Sequence, residues 1–589
     1  MLLVPTVRPG DGIGHLRRCI ELAHAFPGGA ILMPEQGEWQ ERVREVLSAA
    51  RPPLPEEKLC FDVAAAAPWD LIVLDRRATT REEYVAYESH APVVGIDEGG
   101  SAREWIPYLI DTLPLPSEMS KANVFSPAFL SLPRRKRLAG DATGKVLVAF
   151  GGEDPEGLSA KVATTLITEE LFAPSQVTVV RGPLARPFSL PAGVELVPSP
   201  PDLKEELFRY DIVFTSFGLT AYEAVNAGVA AILVNPTPYH RRLARIAGFP
   251  EAGLKELDLH SLESLLADRQ ALREQCAAIA WEAQRSIAAH IEGLDFSGFH
   301  GCPVCASFSN PAVERMVDRS FFRCATCNMV YEADFERRRT TYGESYFVDD
   351  YREHYGKTYL EDFENIHKMG ESRLEKIRGV LGPFDGKRLV DVGCAYGPFL
   401  AAAREAGLAV HGIDVSEEAA RYVRETLKLP CARERFEEID IERAFGISQA
   451  DLLTMWYVIE HFPRLGEVLA KVNRLVRLGG VFAFSTPNLS GVSGYSDLER
   501  FLAASPRDHF TIWDPKIARS VLRRFGFRIA AVNITGHHPE RFPVPGAERG
   551  WRYRVLKHYS RAVGLGDTFE VYAVKDREVD AVNATQELP

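Results

Sequence analysis

At 589 residues the chain is too long for one hydrophobic core and predicts three or four domains. Its 46% hydrophobic and 25% charged residues are ordinary globular values, and a formal net charge of −12 argues against a general nucleic-acid binder, which needs a basic surface to neutralise phosphates. The opening MLLVPTVRPGDG lacks the basic flank, apolar core and cleavage site of a signal peptide. No apolar run approaches the roughly 20 residues of a membrane span, so a cytoplasmic protein without a span is expected.

The first third alternates short apolar runs with helical periodicity. MLLVPTV, WDLIVLD (69–75) and APVVGID (91–97) read as buried parallel strands, and GHLRRCIELAHAF as a helix with Leu16, Ile20, Leu22 and Ala23 inward. The proline-rich stretch 113–143 ends in a basic run and reads as a linker. A second alternating series runs from GKVLVAFGGEDP through QVTVVRG and YDIVFTSFGLTAYEAVNAGV to AAILVNP and closes in a long helical stretch at 260–292. Two doubly wound α/β halves with a cleft between them are the inference.

RPGDGIGHLRRCIELA (8–23) joins a glycine turn to a helix start, which offers backbone amides and a positive dipole to a diphosphate. His15 stands where it can orient or deprotonate an attacking water. Arg17 and Arg18 read equally as phosphate contacts and as a solvated face. In order and spacing, GIGHLRRCIELA, WDLIVLD, VVGIDE, VAFGGEDP and TSFGLTAYEAVNAGVAAILV resemble the UDP-sugar hydrolases of the pseudaminic-acid pathway and the spore-coat polysaccharide proteins. Those families look like two-domain nucleotide-sugar glycosyltransferases. The resemblance implies tandem Rossmann-like, glycosyltransferase-B-like halves at 1–125 and 126–295 that hold a UDP-activated sugar or glycan. Gly14 and His15 then belong to the first turn, with His15 as the base. Gly218, Thr220 and Glu223 grip the nucleotide, amides near the diphosphate and the carboxylate on the ribose. Two positions depart from the hydrolase pattern, Arg77 in place of a tyrosine and His240 in place of a glutamine, so binding is implied more directly than hydrolysis.

Nine cysteines include five scattered ones, Cys19, Cys60, Cys276, Cys394 and Cys431, expected to be buried thiols of a reducing compartment. The other four break the α/β rhythm. Cys302-x2-Cys305 and Cys324-x2-Cys327, with eighteen residues between, have the spacing of two knuckles around a tetrahedral structural Zn(II). With four thiolates such a site is closed to catalysis, and its task is to hold a small zinc ribbon, placed at 296–344. The tyrosine-rich TYGESYFVDDYREHYGKTY (341–359) reads as a cover for the next domain, or as a stacking surface.

RLVDVGCAYGPFLAAAREAGLAVHGIDVS (388–416) is a strand, a glycine turn, a helix and a second strand ending in an acid, Asp414, at the separation where a carboxylate meets ribose hydroxyls. With WYVIEHF, RLGGVFAFSTPN and DHFTIWDPKIARSVLRRFGF, it resembles the class I S-adenosylmethionine-dependent methyltransferases over 345–575. The resemblance implies a Rossmann-like fold and assigns the cofactor to Asp391, Gly393, Cys394, Gly397 and Asp414, with Asp451 and Trp456 at the end of the fourth strand. For transfer to a hydroxyl, His461 and His509 are the candidate bases, each also readable as a packed or capping histidine. His509 is favoured because it follows an irregular stretch, 490–507, suited to an acceptor loop. The residues 576–589 read as a frayed, disordered tail.

Together these readings predict a bifunctional enzyme of modified-sugar or glycan biosynthesis. One half would bind and cleave, or transfer from, a UDP-sugar, and the other would methylate a sugar-like acceptor. Two alternatives remain open from the sequence: a methyltransferase with a non-catalytic nucleotide-sugar docking module, and an RNA methyltransferase using the zinc ribbon. The acidic total charge disfavours the latter. The basic aromatic segment 548–563 reads as a contact for an acidic acceptor or as an exposed helix.

Overall fold

Parallel strands are covered on both faces, so they appear as unbroken apolar runs rather than alternating ones. The computed structural model describes residues 1–7, 13–34, 38–50, 52–66, 68–137, 143–200, 202–281, 283–336 and 356–579. The glycine-turn residues 8–12, nearly all of the tyrosine-rich 341–359 and the last ten residues lie outside these. The chain divides into two compact units, Met1–Leu294 with Arg315–Val317, and Asp295–Glu314 with Asp318–Pro589.

The first unit contains two parallel sheets. Strands β1 (Leu2–Pro5), β2 (Ala30–Leu32), β3 (Leu59–Cys60), β4 (Ile72–Asp75), β5 (Val93–Ile96), β6 (Tyr108–Asp111) and β7 (Val124–Phe125) are ordered β3-β2-β1-β4-β5-β6-β7. Strands β8 (Val146–Val148), β9 (Val177–Arg181), β10 (Glu195–Pro198), β11 (Ile212–Thr215), β12 (Ala230–Asn235) and β13 (Glu251–Leu254) are ordered β10-β9-β8-β11-β12-β13. Strand order reverses beside β1 and beside β8, and such switch points open a crevice at the carboxyl ends of the strands. The expected long helix at 260–292 is three, Leu259–Ala267, Arg269–Ala277 and Ile287–Glu292, because Asp268 caps the second by accepting from the Ala271 amide at 2.9 Å. The basic end of the expected linker is also docked: the Arg137 guanidinium pairs with Asp211 and donates to the Tyr210 carbonyl.

In the second unit, β14 (Ala312–Arg315, all but its last residue), β15 (Arg319–Arg323) and β16 (Val330–Asp334) carry the cysteine module, and β22 (Thr511–Ile512) completes their sheet. Val330 pairs with Ile512, so residues far along the chain supply an edge that a small ribbon lacks. The large sheet is ordered β19-β18-β17-β20-β21-β24-β23 and comprises β17 (Arg388–Val392), β18 (Ala409–Asp414), β19 (Cys431–Arg433), β20 (Ala450–Trp456), β21 (Val476–Pro487), β23 (Phe527–Thr535) and β24 (Thr568–Lys575). Only β24 runs antiparallel within it, between β21 and β23. This is an α/β Rossmann-like sheet of the expected class. The stretch 490–507 is not irregular throughout, since it forms helices Val492–Ser496 and Leu498–Ala503, the second capped by Asp497. Residues 576–579 are not frayed: the Asp576 amide donates to the Gly526 carbonyl at 3.0 Å and the Val579 amide to Asn473 at 3.3 Å. Among the described residues no helix is long and apolar enough to cross a membrane.

Arg18 corrects both of its sequence readings. Helix Gly14–Ala25 buries Leu16, Cys19, Ile20, Leu22 and Ala23 as its periodicity requires, and buries Arg18 with them. The guanidinium donates to both oxygens of Asp75 at 2.6 Å, to Thr112 at 2.8 Å, and pairs with Asp97 at 2.7 Å. Asp97 sits at the end of β5 with φ 51° and accepts from the Thr112 amide and hydroxyl, both at 2.6 Å. Burial alone would raise Asp75, but Arg18 and then His15 hold its carboxyl below the usual range. A depressed carboxyl contributes stability above its unfolded value, and that stability is lost as pH falls through the folded one. Asp75→Asn is therefore expected to destabilise the first unit by about 3 kcal/mol at neutral pH, because it strips one partner from a buried cation. Hydrogen exchange of β1 and β4 measures this: the wild type should lose protection below roughly pH 4, and the variant should lose that part of the pH dependence.

Candidate functional site

The turn after β17 is built on left-handed backbone. Gly393, Ala395 and Gly397 have φ of 70°, 47° and 78°. An alanine there costs roughly 1 kcal/mol, strain that concentrates at functional sites. A Cβ at Gly393 would run into Val458, and one at Gly397 would lie 2.8 Å from Leu427 Cδ1. Asp414, at the end of β18, accepts from the Ala395 amide at 2.8 Å and the Ser416 amide at 2.9 Å, so the acid braces the turn. Asp391 is buried and accepts from the Thr454 hydroxyl at 2.6 Å, and burial pushes its carboxyl up to about 7. Cys394 points into the core, its sulfur 3.7 Å from that of Cys431.

Beside this turn, β20 ends in Trp456, whose ring lies under the Arg373 guanidinium at 4.1 Å. Tyr457 follows with φ 58°, a costly conformation for an aromatic residue. Glu460 is then buried at 1% exposure, and neither of its oxygens has a well-formed hydrogen bond. The same holds for Trp456 Nε1, Ser485 Oγ and Thr486 Oγ1. Burial pushes Glu460 up to about 7, against the weaker pull of His461 and of the nearby Thr486 hydroxyl. His461 is committed to Asp508, with Nδ1 3.1 Å from its carboxylate and 3.0 Å from its carbonyl. Burial works against its charge, yet Asp508 and Glu460 raise it above the usual imidazole value. His509 packs edge-on against His461 at 4.7 Å between ring centroids, and burial lowers it to about 3. Donor atoms of Glu460, His461 and His509 lie within 4.8 Å of one another, close enough to share a metal ion.

One expected residue lies elsewhere. Asp451 starts β20 instead of ending it, at the opposite edge of the sheet from the turn. Its carboxylate accepts from the Arg388 amide at 2.9 Å and pairs with Arg477 at 2.6 Å, which clamps two strand starts together. Glu460 was missed, although WYVIEHF places it beside His461. Nothing local marks it as buried without a well-formed hydrogen bond.

In the first unit, His15 Nδ1 lies 2.7 Å from Asp75 Oδ1, so the ring is oriented by the acid at the end of β4. Gly14 sits against Leu219, to which an added Cβ would come within 3.1 Å. Gly218, with φ 156°, precedes helix Leu219–Asn226, which carries Thr220 and Glu223 in its first turns. The two glycine-opened helices therefore meet. Burial pushes Glu223 up to about 7, against the pull of Lys204 and Arg17. The two departures from the hydrolase pattern are also neighbours: burial, and then the charge of Arg77, lower His240 to about 4. Arg77 stacks over Tyr239 at 5.1 Å.

The four expected cysteines converge in the second unit. Cys302 and Cys327 sulfurs lie 3.5 Å apart, as do those of Cys305 and Cys324, and all four fit within 4.8 Å. Each pair closes a knuckle: Ala306 and Asn328 have positive φ, and their amides return to the Cys302 and Cys324 carbonyls at 2.8 and 2.9 Å. This is a possible metal site of four thiolates.

The family match falls on the second unit. Residues 364–532 match a family described as a methyltransferase domain. A ubiquinone biosynthesis O-methyltransferase of Bordetella avium is 33% identical over 132 residues, which are 22% of this chain and 54% of that protein. Another, of Thiobacillus denitrificans, is 32% identical over 186 residues, 30% of this chain and 80% of that protein. The chain thus spans about half the length of the first relative. A solved S-adenosylmethionine-dependent methyltransferase from Archaeoglobus fulgidus, 18% identical with a TM-score of 0.28, aligns with 37% of this chain and 100% of its own. Through its C-terminal part, this chain belongs to the class I S-adenosylmethionine-dependent methyltransferases.

Proposed function

We propose that the chain transfers a methyl group to an oxygen of a sugar-like acceptor, and that its first unit binds a UDP-activated sugar. The observation that carries the first part is the set of buried polar atoms without well-formed partners where β20 and β21 end: Trp456 Nε1, both Glu460 oxygens, Ser485 Oγ and Thr486 Oγ1. Native proteins leave such groups unpaired where a ligand or water takes them. The left-handed turn Gly393–Gly397 beside them suits S-adenosylmethionine, with the Asp414 carboxylate at the ribose end. That cofactor, when bound, supplies a methyl group already activated on a sulfonium. What is left for the protein is to orient the acceptor and take its proton.

Glu460 is the proton acceptor in this reading, because burial brings it near neutrality, where a general base works best. His461, fixed by Asp508, and His509 position it. Oxygen as the accepting atom follows the O-methyltransferases named among the relatives. Transfer from labelled S-adenosylmethionine to hydroxylated sugars tests this. The rate should rise with pH through about 7 as Glu460 loses its proton. Glu460→Gln should lower kcat by roughly 100-fold or more and flatten that profile. A profile that survives the substitution contradicts the assignment.

For the first unit, support comes from the meeting of the Gly14–His15 and Gly218–Glu223 turns and from the His15–Asp75 pair. Asp75 leaves the outer imidazole nitrogen to act on a water or on the sugar. Incubation with UDP-linked diacetamido sugars should release UDP, and His15→Ala should abolish release but not binding. UDP binding without release in the wild type would make this unit a docking module.

The four-cysteine cluster fits structural Zn(II). A tetrahedral ZnS4 centre with ~2.3 Å bonds needs sulfurs about 3.8 Å apart, and the paired sulfurs stand at 3.5 Å. The ion would hold the two knuckles and supply no reaction step. One equivalent of zinc should co-purify, and a chelator should speed hydrogen exchange in β15 and β16. Chelation without effect would leave the cysteines as plain thiols.

A further inference from the structure

Helix Gly550–Val563 belongs to neither proposed site. Ser560 alone is buried within it, with its hydroxyl 2.7 Å from His537 Nδ1 and its carbonyl accepting from the Leu565 amide at 2.9 Å. Tyr559 touches Phe542, with ring centroids 6.2 Å apart. The helix is thus held along one line and otherwise stands free of the unit's core.

At ~100° per residue, Trp551, Val555, Tyr559, Ala562 and Val563 share an arc of about 120°; Arg552 also falls within it, its guanidinium turned aside to donate to the Pro545 carbonyl at 2.6 Å. Four of them are large and exposed: Trp551 at 70%, Val555 at 55%, Tyr559 at 51% and Val563 at 50%. Arg554, Lys557, His558 and Arg561 fill the adjoining arc. From Arg549 to Val563 there are five Lys or Arg and no Asp or Glu, in a chain whose net charge is −12. An exposed apolar arc with aromatic rings, flanked by cations, is the pattern of a helix that lies in the plane of an anionic interface.

We propose that this helix docks the protein on the surface of an anionic lipid bilayer. Its apolar arc would enter the headgroup boundary, and the basic arc would pair with lipid charge. The placement has a consequence for the methyltransferase site. The helix joins the carboxyl end of β23 to the start of β24, where Thr535 pairs with Thr568 and Thr568 with Pro487. Pro487 directly follows Thr486, so the docking helix leaves the same sheet edge as the partnerless groups. A protein partner fits less well, because the continuous basic arc has no acidic residue to set a register.

Sedimentation of the full chain with vesicles tests the proposal. It should pellet with phosphatidylcholine vesicles containing ~30% phosphatidylglycerol, not with pure phosphatidylcholine, and ~0.5 M salt should release it. Trp551→Ser with Val555→Ser, and separately Arg554→Gln with Lys557→Gln, should each lower partitioning about tenfold with S-adenosylmethionine affinity intact. No vesicle binding, equal binding to neutral vesicles, or binding that both variants retain would overturn the assignment.

Discussion

The carboxylate of Asp414 holds the turn after β17 against the end of β18, one oxygen on the Ala395 amide and the other on the Ser416 amide. Ala395 pays for a left-handed conformation that alanine does not favour, and this bond fixes it there. The rest of the methyltransferase edge depends on that geometry. Gly393 is kept open against Val458, the residue that leads from strained Tyr457 toward Glu460. Ala395 and Tyr457, both with positive φ, thus stand two residues and one residue along the chain from the neighbours Gly393 and Val458.

The first unit uses the same economy with charges. Asp75 serves Arg18 and His15 at once, one buried and one half-buried. Arg18 also reaches Asp97, which carries the chain from β5 to Thr112. A single guanidinium thus ties the carboxyl ends of β4 and β5 to the helix that presents His15. The catalytic candidate and the packing of this sheet edge cannot be altered independently, since each shares a carboxylate with the other.

What the sequence made visible was local. Short apolar runs disclose parallel strands, and glycines in a strand–turn–helix unit disclose left-handed backbone at 393 and 397, because both signals lie within a few residues. What it concealed was non-local. Asp451 lies at the start of its strand, a position that an apolar run does not mark. Arg18 looked like a surface or phosphate residue until two acids from other strands enclosed it. Glu460 stood in plain view, and burial without a partner, which sets it apart, is a property of the fold. The cysteine spacing gave the knuckles but not β22, the strand from nearly two hundred residues downstream that completes their sheet.

The central claim is that the strained turn and the partnerless atoms opposite it form one ligand site. Hydrogen-exchange mass spectrometry of the full chain, with and without S-adenosylmethionine, measures this directly and needs no knowledge of the acceptor. The account predicts slowed exchange in 391–397 together with 456–460 and 485–486. Protection of the turn without the β20 and β21 ends, or no protection at saturating cofactor, would contradict it.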